Sequence, residues 1–174
     1  MKLNLPVKFF LLSFFGVVVF SAFAVAQTQE WVARYNGAGN NTDEANVLYV
    51  DANGNSYVAG YTYGASLEEN IVVIKYDSGG IQQWADTNRA ANGFSYADAI
   101  AVDGAGNVFI TGYSTNTTSN SYIVIKYNAA GVFQWQAFLG ASGSLQDEGM
   151  AIATDANFVL CYRKSCCQRV STLS

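Results

Sequence analysis

Ala101-Val-Asp-Gly-Ala-Gly-Asn-Val-Phe-Ile-Thr-Gly-Tyr113 restates, about 52 residues on, Tyr49-Val-Asp-Ala-Asn-Gly-Asn-Ser-Tyr-Val-Ala-Gly-Tyr61. The copies then agree again in order. Ile71-Val-Val-Ile-Lys-Tyr-Asp77 answers Ile123-Val-Ile-Lys-Tyr-Asn128, and Gln83-Trp84 answers Gln134-Trp135. A third copy opens at Met150-Ala-Ile-Ala-Thr-Asp155. Self-similarity at one period signals a repeat architecture in which each unit buries its faces against its neighbours.

Within a copy the residues alternate with period 2, in short runs rich in β-branched and aromatic side chains. Asp51-Ala-Asn-Gly-Asn55 and Asp103-Gly-Ala-Gly-Asn107 separate the first two runs. A glycine at a fixed place there supplies the positive φ of a tight hairpin. The third run, Ile71 to Tyr76 and Ile123 to Tyr127, is apolar enough for a strand buried on both faces. A glycine turn follows, then a fourth strand centred on Gln83-Trp84 and Gln134-Trp135. The chain's single proline lies near its start, so no central strand loses a donor. Four antiparallel strands per repeat predict an all-β chain of β-propeller blades. A β-sandwich also uses short strands and regular turns, but gives no reason for the motifs to recur at one period.

The strings Ala-Val-Asp-x-x-Gly-Asn-Val-Phe-Ile-Thr-Gly-Tyr, Ile-Val-Ile-Lys-Tyr-Asn-Ala-Ala-Gly and Gln-Trp resemble the bacterial β-propeller repeat called SBBP, associated with seven-bladed propellers. The likeness runs over roughly residues 31 to 157. It implies exported, multi-repeat proteins and names no reaction. The recurring positions are Asp51, Gly54, Asn55, Gly60, Lys75, Tyr76 and Trp84, then Asp103, Gly106, Asn107, Gly112, Lys126, Tyr127 and Trp135. Recurrence points to work done in every blade, because catalytic residues need not repeat. The lysines lead their stems along apolar surface to water, and the tryptophans read as packing between blades.

The organisation predicted along the chain is therefore as follows. Residues 1–26 are a signal peptide, with Lys2 and Lys8 before an apolar run and Ala24-Val-Ala26 as a small-x-small cleavage site. Residues 27–42 supply the last strand of a preceding blade, since Trp31-Val-Ala-Arg-Tyr35 aligns with the Trp84 and Trp135 strands. Residues 43–94 and 95–146 are complete blades, and 147–157 begin another. Such an array leaves blade faces and strand edges open, which favours self-association. Residues 158–174 are read as an out-of-frame tail. Where the repeat calls for Tyr-Val-Thr-Gly the chain has Leu160-Cys-Tyr-Arg163, and a one-base shift of suitable codons converts one into the other. All three cysteines (Cys161, Cys166 and Cys167) fall in that tail. They form neither a disulfide framework nor a zinc spacing, and the chain has no histidine.

Nine basic residues against 13 acidic ones, without a basic patch, disfavour nucleic-acid binding. Beyond the signal segment nothing is apolar enough to cross a bilayer, and export to the periplasm, cell surface or medium is expected. Asp51 to Asn55 superficially resembles the opening of a calcium loop, but its twelfth position is Thr62 rather than a bidentate Glu, and Ala105 replaces Asn53 in the second copy. No metal or cofactor is expected. Asp43-Glu44 and Asp147-Glu148 recur two periods apart, with Ser95-Tyr96 between them. A closed ring gathers such positions near one rim, where they meet a cation or a basic partner or simply face solvent. Without histidine there is no Ser-His or Cys-His pair.

The expected function is accordingly non-catalytic: a structural or binding role through blade-rim loops, with a protein or glycan as partner. Tyr61, Tyr63, Tyr113, Asn116 and Asn120 are the contact candidates. The alternatives are a piece of a propeller enzyme, such as a glycan-acting hydrolase or lyase, and a gene fragment without function. Resequencing beyond codon 157 checks the frame. A one-base change that restores Tyr-Val-Thr-Gly and uncovers further repeats is the expected result, and an intact frame with nothing repeat-like beyond overturns it.

Overall fold

The computed structural model describes residues 28–66, 68–88, 94–115, 120–139, 149–155, 158–163 and 166–171. The segment expected as a signal peptide, Asn116, Asp147 and Glu148 lie outside the described residues.

Each tight turn is closed by the side chain that opens it. Asp51 Oδ1 accepts the backbone N–H groups of Asn53 and Asn55, each at 2.9 Å, while Gly54 N–H returns to the Asp51 carbonyl. Asp103 repeats this with Ala105 and Asn107. Asp77 and Asn128 do the same one hairpin later, toward Gly79 and Ile81 and toward Ala130 and Val132. Gly54, Gly80, Gly106 and Gly131 stand at φ near +80°. A short polar side chain that captures backbone donors fixes such a turn and thereby the register of the strands it joins.

These turns fold two four-stranded antiparallel sheets, each in sequence order. The first holds β1 (Asp43–Val50), β2 (Ser56–Tyr63), β3 (Glu69–Tyr76) and β4 (Gln82–Asn88). The second holds β5 (Ser95–Val102), β6 (Val108–Thr115), β7 (Asn120–Tyr127) and β8 (Phe133–Leu139). They are the blades of a β-propeller, and the described residues contain no helix. β9 (Gly149–Thr154) packs beside β5 much as β5 packs beside β1, so the first strands run together while the sheets fan outward.

β9 is followed by β10 (Phe158–Arg163) and β11 (Cys166–Ser171) in a three-stranded antiparallel sheet. The ladder thus extends into residues expected as an aberrant tail. Phe158-Val-Leu-Cys-Tyr162 is a β-forming run, and it pairs Val159 with Thr154 and Leu160 with Ala153.

Bulges recur with the repeat. Asn46 and Asp98 interrupt β1 and β5, and Gln83 and Gln134 interrupt β4 and β8. An extra residue in one strand bends it and increases the local twist, so the Gln of each Gln-Trp pair is where the outer strand turns. The inner bulge explains Gly60 and Gly112. A Cβ there would stand 1.8 Å from the Glu44 carbonyl oxygen and 1.9 Å from that of Tyr96.

Blades join face to face. One face of the first sheet, with Tyr57, Ala59, Ile71 and Val73, shares a core with Val108, Ile110, Ile123, Ile125 and Tyr127 of the second. The second sheet's other face, with Phe109, Tyr122 and Val124, receives Ile152 of β9. β3 is buried along nearly its whole length, as its apolar run predicts. The outer seam is a tryptophan on a glycine. Trp84 stacks on Tyr127 at 6.2 Å and donates its indole N–H to the Ala129 carbonyl at 3.3 Å. Its ring covers Gly131 so closely that a Cβ would stand 2.4 Å from Trp84 Cδ2.

Trp31 stands on Tyr76 and Gly80 in the same relation, with rings 5.8 Å apart. Ala33 and Tyr35 lie against Val72, Ile74 and Tyr76. Residues 28–42, expected as a blade's last strand, belong to no sheet. Among the described residues they have no strand beside them to pair with. A cavity of about 300 Å³ opens between this segment and the first blade.

Replacing Gly131 by Ala imposes both a positive φ and a clash with Trp84, so a loss of about 1–3 kcal/mol is expected. Gly104 has nothing within 4 Å of its would-be Cβ, and Gly104→Ala is expected to stay within about 0.5 kcal/mol of the parent. Thermal melts followed by circular dichroism compare the two.

Candidate functional site

The two ends of the blades differ in kind. One end carries the four side-chain-closed turns described above. Its groove, about 430 Å³, runs between the first hairpins of the two blades past Asp51, Tyr57, Lys75 and Asp103. The polar groups there are committed. Asp51 Oδ2 accepts from Asn55 Nδ2 at 2.8 Å and from the Tyr57 hydroxyl at 3.2 Å. Desolvation acts to raise the Asp51 carboxyl, but the hydrogen bonds from Asn55, Asn53 and Tyr57 outweigh it and hold the group below its ordinary value. Lys75 Nζ lies 5.1 Å above the Tyr57 ring, and Lys126 Nζ lies 5.4 Å above Phe109. The recurring motif residues are therefore turn closures, close-approach glycines and blade-face packing.

The opposite end carries the β2–β3 and β6–β7 connections and the links between blades. Here β2 and β6 finish while β1, β3 and β5 begin, so their terminal side chains meet. Tyr61 pairs in register with Glu44 across β1–β2, and Tyr63 with Glu69 across β2–β3. The Tyr61 hydroxyl donates to Glu44 Oε2 at 3.0 Å, and the Tyr63 hydroxyl donates to Glu69 Oε1. One period on, Tyr96 occupies Glu44's place and pairs with Tyr113. With two rings where the first blade has a ring and a carboxylate, the pair stacks at 5.0 Å and 25°. Tyr96 also meets Tyr61 of the first blade, edge to face at 5.2 Å. Tyr61 meets Tyr63 in the same way at 6.1 Å. Four tyrosines thus form one continuous row across the blade boundary.

The cross-strand neighbours that alternate with the row are polar pairs. Asp43 accepts from the Thr62 hydroxyl and from Gly37 N–H. At the equivalent place Ser95 donates to Ser114 at 3.0 Å, both side chains buried. Glu69 is only 8% exposed, and its Oε2 has no hydrogen-bond partner. The Glu44 hydrogen bond raises the Tyr61 hydroxyl above its usual value, and the Glu69 hydrogen bond raises that of Tyr63. Among the described residues no three His, Cys, Asp or Glu side chains converge as metal ligands.

Of the contact residues predicted from sequence, Tyr61, Tyr63 and Tyr113 fall in this row, and Asn120 begins β7. Tyr96 and Glu69 were not among them. Tyr96 is legible once Glu44 and Tyr61 are taken as a cross-strand pair, because the same offset places Tyr96 opposite Tyr113. Glu69 lies two residues before the apolar run that marks β3, where nothing in the sequence distinguishes it from a loop residue.

Residues 30–68 match the SBBP beta-propeller repeat. The matched stretch runs from the Trp31 segment through β1 and β2. No curated protein matches the chain.

An ultraviolet titration of the tyrosines tests the row's hydrogen bonds. Tyr61 and Tyr63 are expected to ionise above the ordinary value of about 10. Glu44→Gln lowers the first and Glu69→Gln the second. Because the folded values are raised, this stabilisation is present below about pH 10 and is lost as pH rises through the folded values. Unchanged titration curves in both variants would contradict it.

Proposed function

We propose that the chain is an exported, non-catalytic propeller module that binds a protein or glycan partner through the rim bearing Tyr63, Tyr61, Tyr96 and Tyr113. The observation that carries this reading is the row's continuity across a blade boundary. Blade packing needs no aromatic contact at this place, since the shared core beneath it already joins the sheets. Tyrosine offers a large, stiff contact area with a polar tip, suited to recognition at a wet surface. The signal-like N-terminus supports export. The other rim is closed by repeated turns whose polar groups are occupied, which leaves the tyrosine rim as the surface free to differ between blades.

The test is an array of glycans and peptides probed with the intact chain. A binder is expected whose signal falls at least tenfold in Tyr96→Ala, while Gln82→Ala on an exposed strand position leaves it unchanged. Binding that survives both Tyr96→Ala and Tyr61→Ala, or none on either class of array, overturns the reading.

A further inference from the structure

The rim's rings are arranged as a corner. Tyr61 meets both Tyr63 and Tyr96 at steep interplanar angles, 76° and 68°. Tyr61 gives its hydroxyl to the Glu44 carboxylate and Tyr63 gives its hydroxyl to that of Glu69. Glu69 is the unusual member. A carboxylate more than nine-tenths buried, with one donor and a second oxygen unpartnered, is costly without a counter-charge. Among the described residues no cation supplies it: Lys75 and Lys126 lie over Tyr57 and Phe109 toward the other rim, and Arg34 is exposed on the segment that packs against the opposite face of the first blade. Aromatic walls beside carboxylates without a counter-charge among the described residues attract cations, organic ammonium groups above all, since ring faces carry negative potential and cannot bind a metal ion as hard oxygen ligands do.

Resting on the rim-binding reading, we infer that Tyr61, Tyr63 and Tyr96, with Glu44 beside them and Glu69 behind as counter-charge, form a site for an alkylammonium group. A lysine side chain of a partner peptide, methylated or not, and a free quaternary amine share this chemistry. A neutral sugar would instead lie flat on an open ring platform and would bring no positive charge to offset the buried carboxylate.

The test titrates the intact chain with tetramethylammonium chloride, a lysine peptide, the same peptide trimethylated, its acetylated form and a neutral oligosaccharide, read by calorimetry. Tetramethylammonium or an uncapped lysine peptide is expected to bind, with acetylation abolishing peptide binding. Tetramethylammonium binding alone assigns a free amine, and added affinity for the peptides assigns a peptide partner. Tyr96→Ala and Glu69→Gln are each expected to weaken binding at least tenfold. Glu44→Gln, at an exposed position, gives a severalfold loss and keeps the test decisive where Glu69→Gln fails to fold. Oligosaccharide binding that depends on Tyr96, with no response to the ammonium probes, overturns the cation site and leaves the rim reading standing. Silence toward every probe here and on the arrays overturns both.

Discussion

A tryptophan laid flat on the next blade's glycine is the contact on which the array depends. Trp84 cannot reach Tyr127 and the Ala129 carbonyl unless position 131 lacks a side chain. Gly131 in turn must take a positive φ to close its hairpin. One residue therefore serves the turn of its own blade and the seam with the one before it. Trp31 on Gly80 shows the same pairing at the chain's other described seam. Blades joined this way interact with their neighbours only, so stability accumulates seam by seam along the chain.

That constraint also divides the two rims. The seam needs its Asp or Asn turn closures, glycines and tryptophans in every blade, and these gather toward the tight-turn end. The other end holds connections that close no seam. Glu44 there can become Tyr96 in the next copy without disturbing the register on either side of it. The proposed binding surface lies where the repeat is free to differ.

The sequence made the blade legible because its determinants are local and periodic. Asp51, Gly54 and Asn55 announce a hairpin within five residues, and the apolar run to Tyr76 announces a doubly buried strand. The family likeness pointed the same way and meets the matched residues 30–68. Tyr61, Tyr63 and Tyr113 were visible as rim aromatics for the same reason. Other features depend on what lies across a sheet or a seam. Gln83 reads as part of a Gln-Trp motif, yet its role as a bulge emerges only from the slip between Lys75 and Tyr76. Residues 28–42 carry a fourth-strand pattern but form no ladder, because a strand requires a partner as well as a pattern. Glu69's burial and its unpartnered Oε2 depend on three-dimensional neighbours that no spacing encodes.

Tyr96 shows how a repeat protein becomes asymmetric. With glutamate at that position in both blades, each Tyr61-like ring would be tethered to its own blade by a carboxylate. An aromatic ring in one copy stacks on Tyr113 and meets Tyr61 edge to face across the seam. The result is an asymmetric corner built from nearly symmetric parts, two walls from one blade and one from the next. Its geometry is then only as firm as the seam beneath it. A rim formed across blades is thus tied to the tryptophan–glycine contact at their outer edge, through the shared core of Ile71, Val73, Ile123 and Ile125. Loosening that seam would open the corner without touching any of its residues.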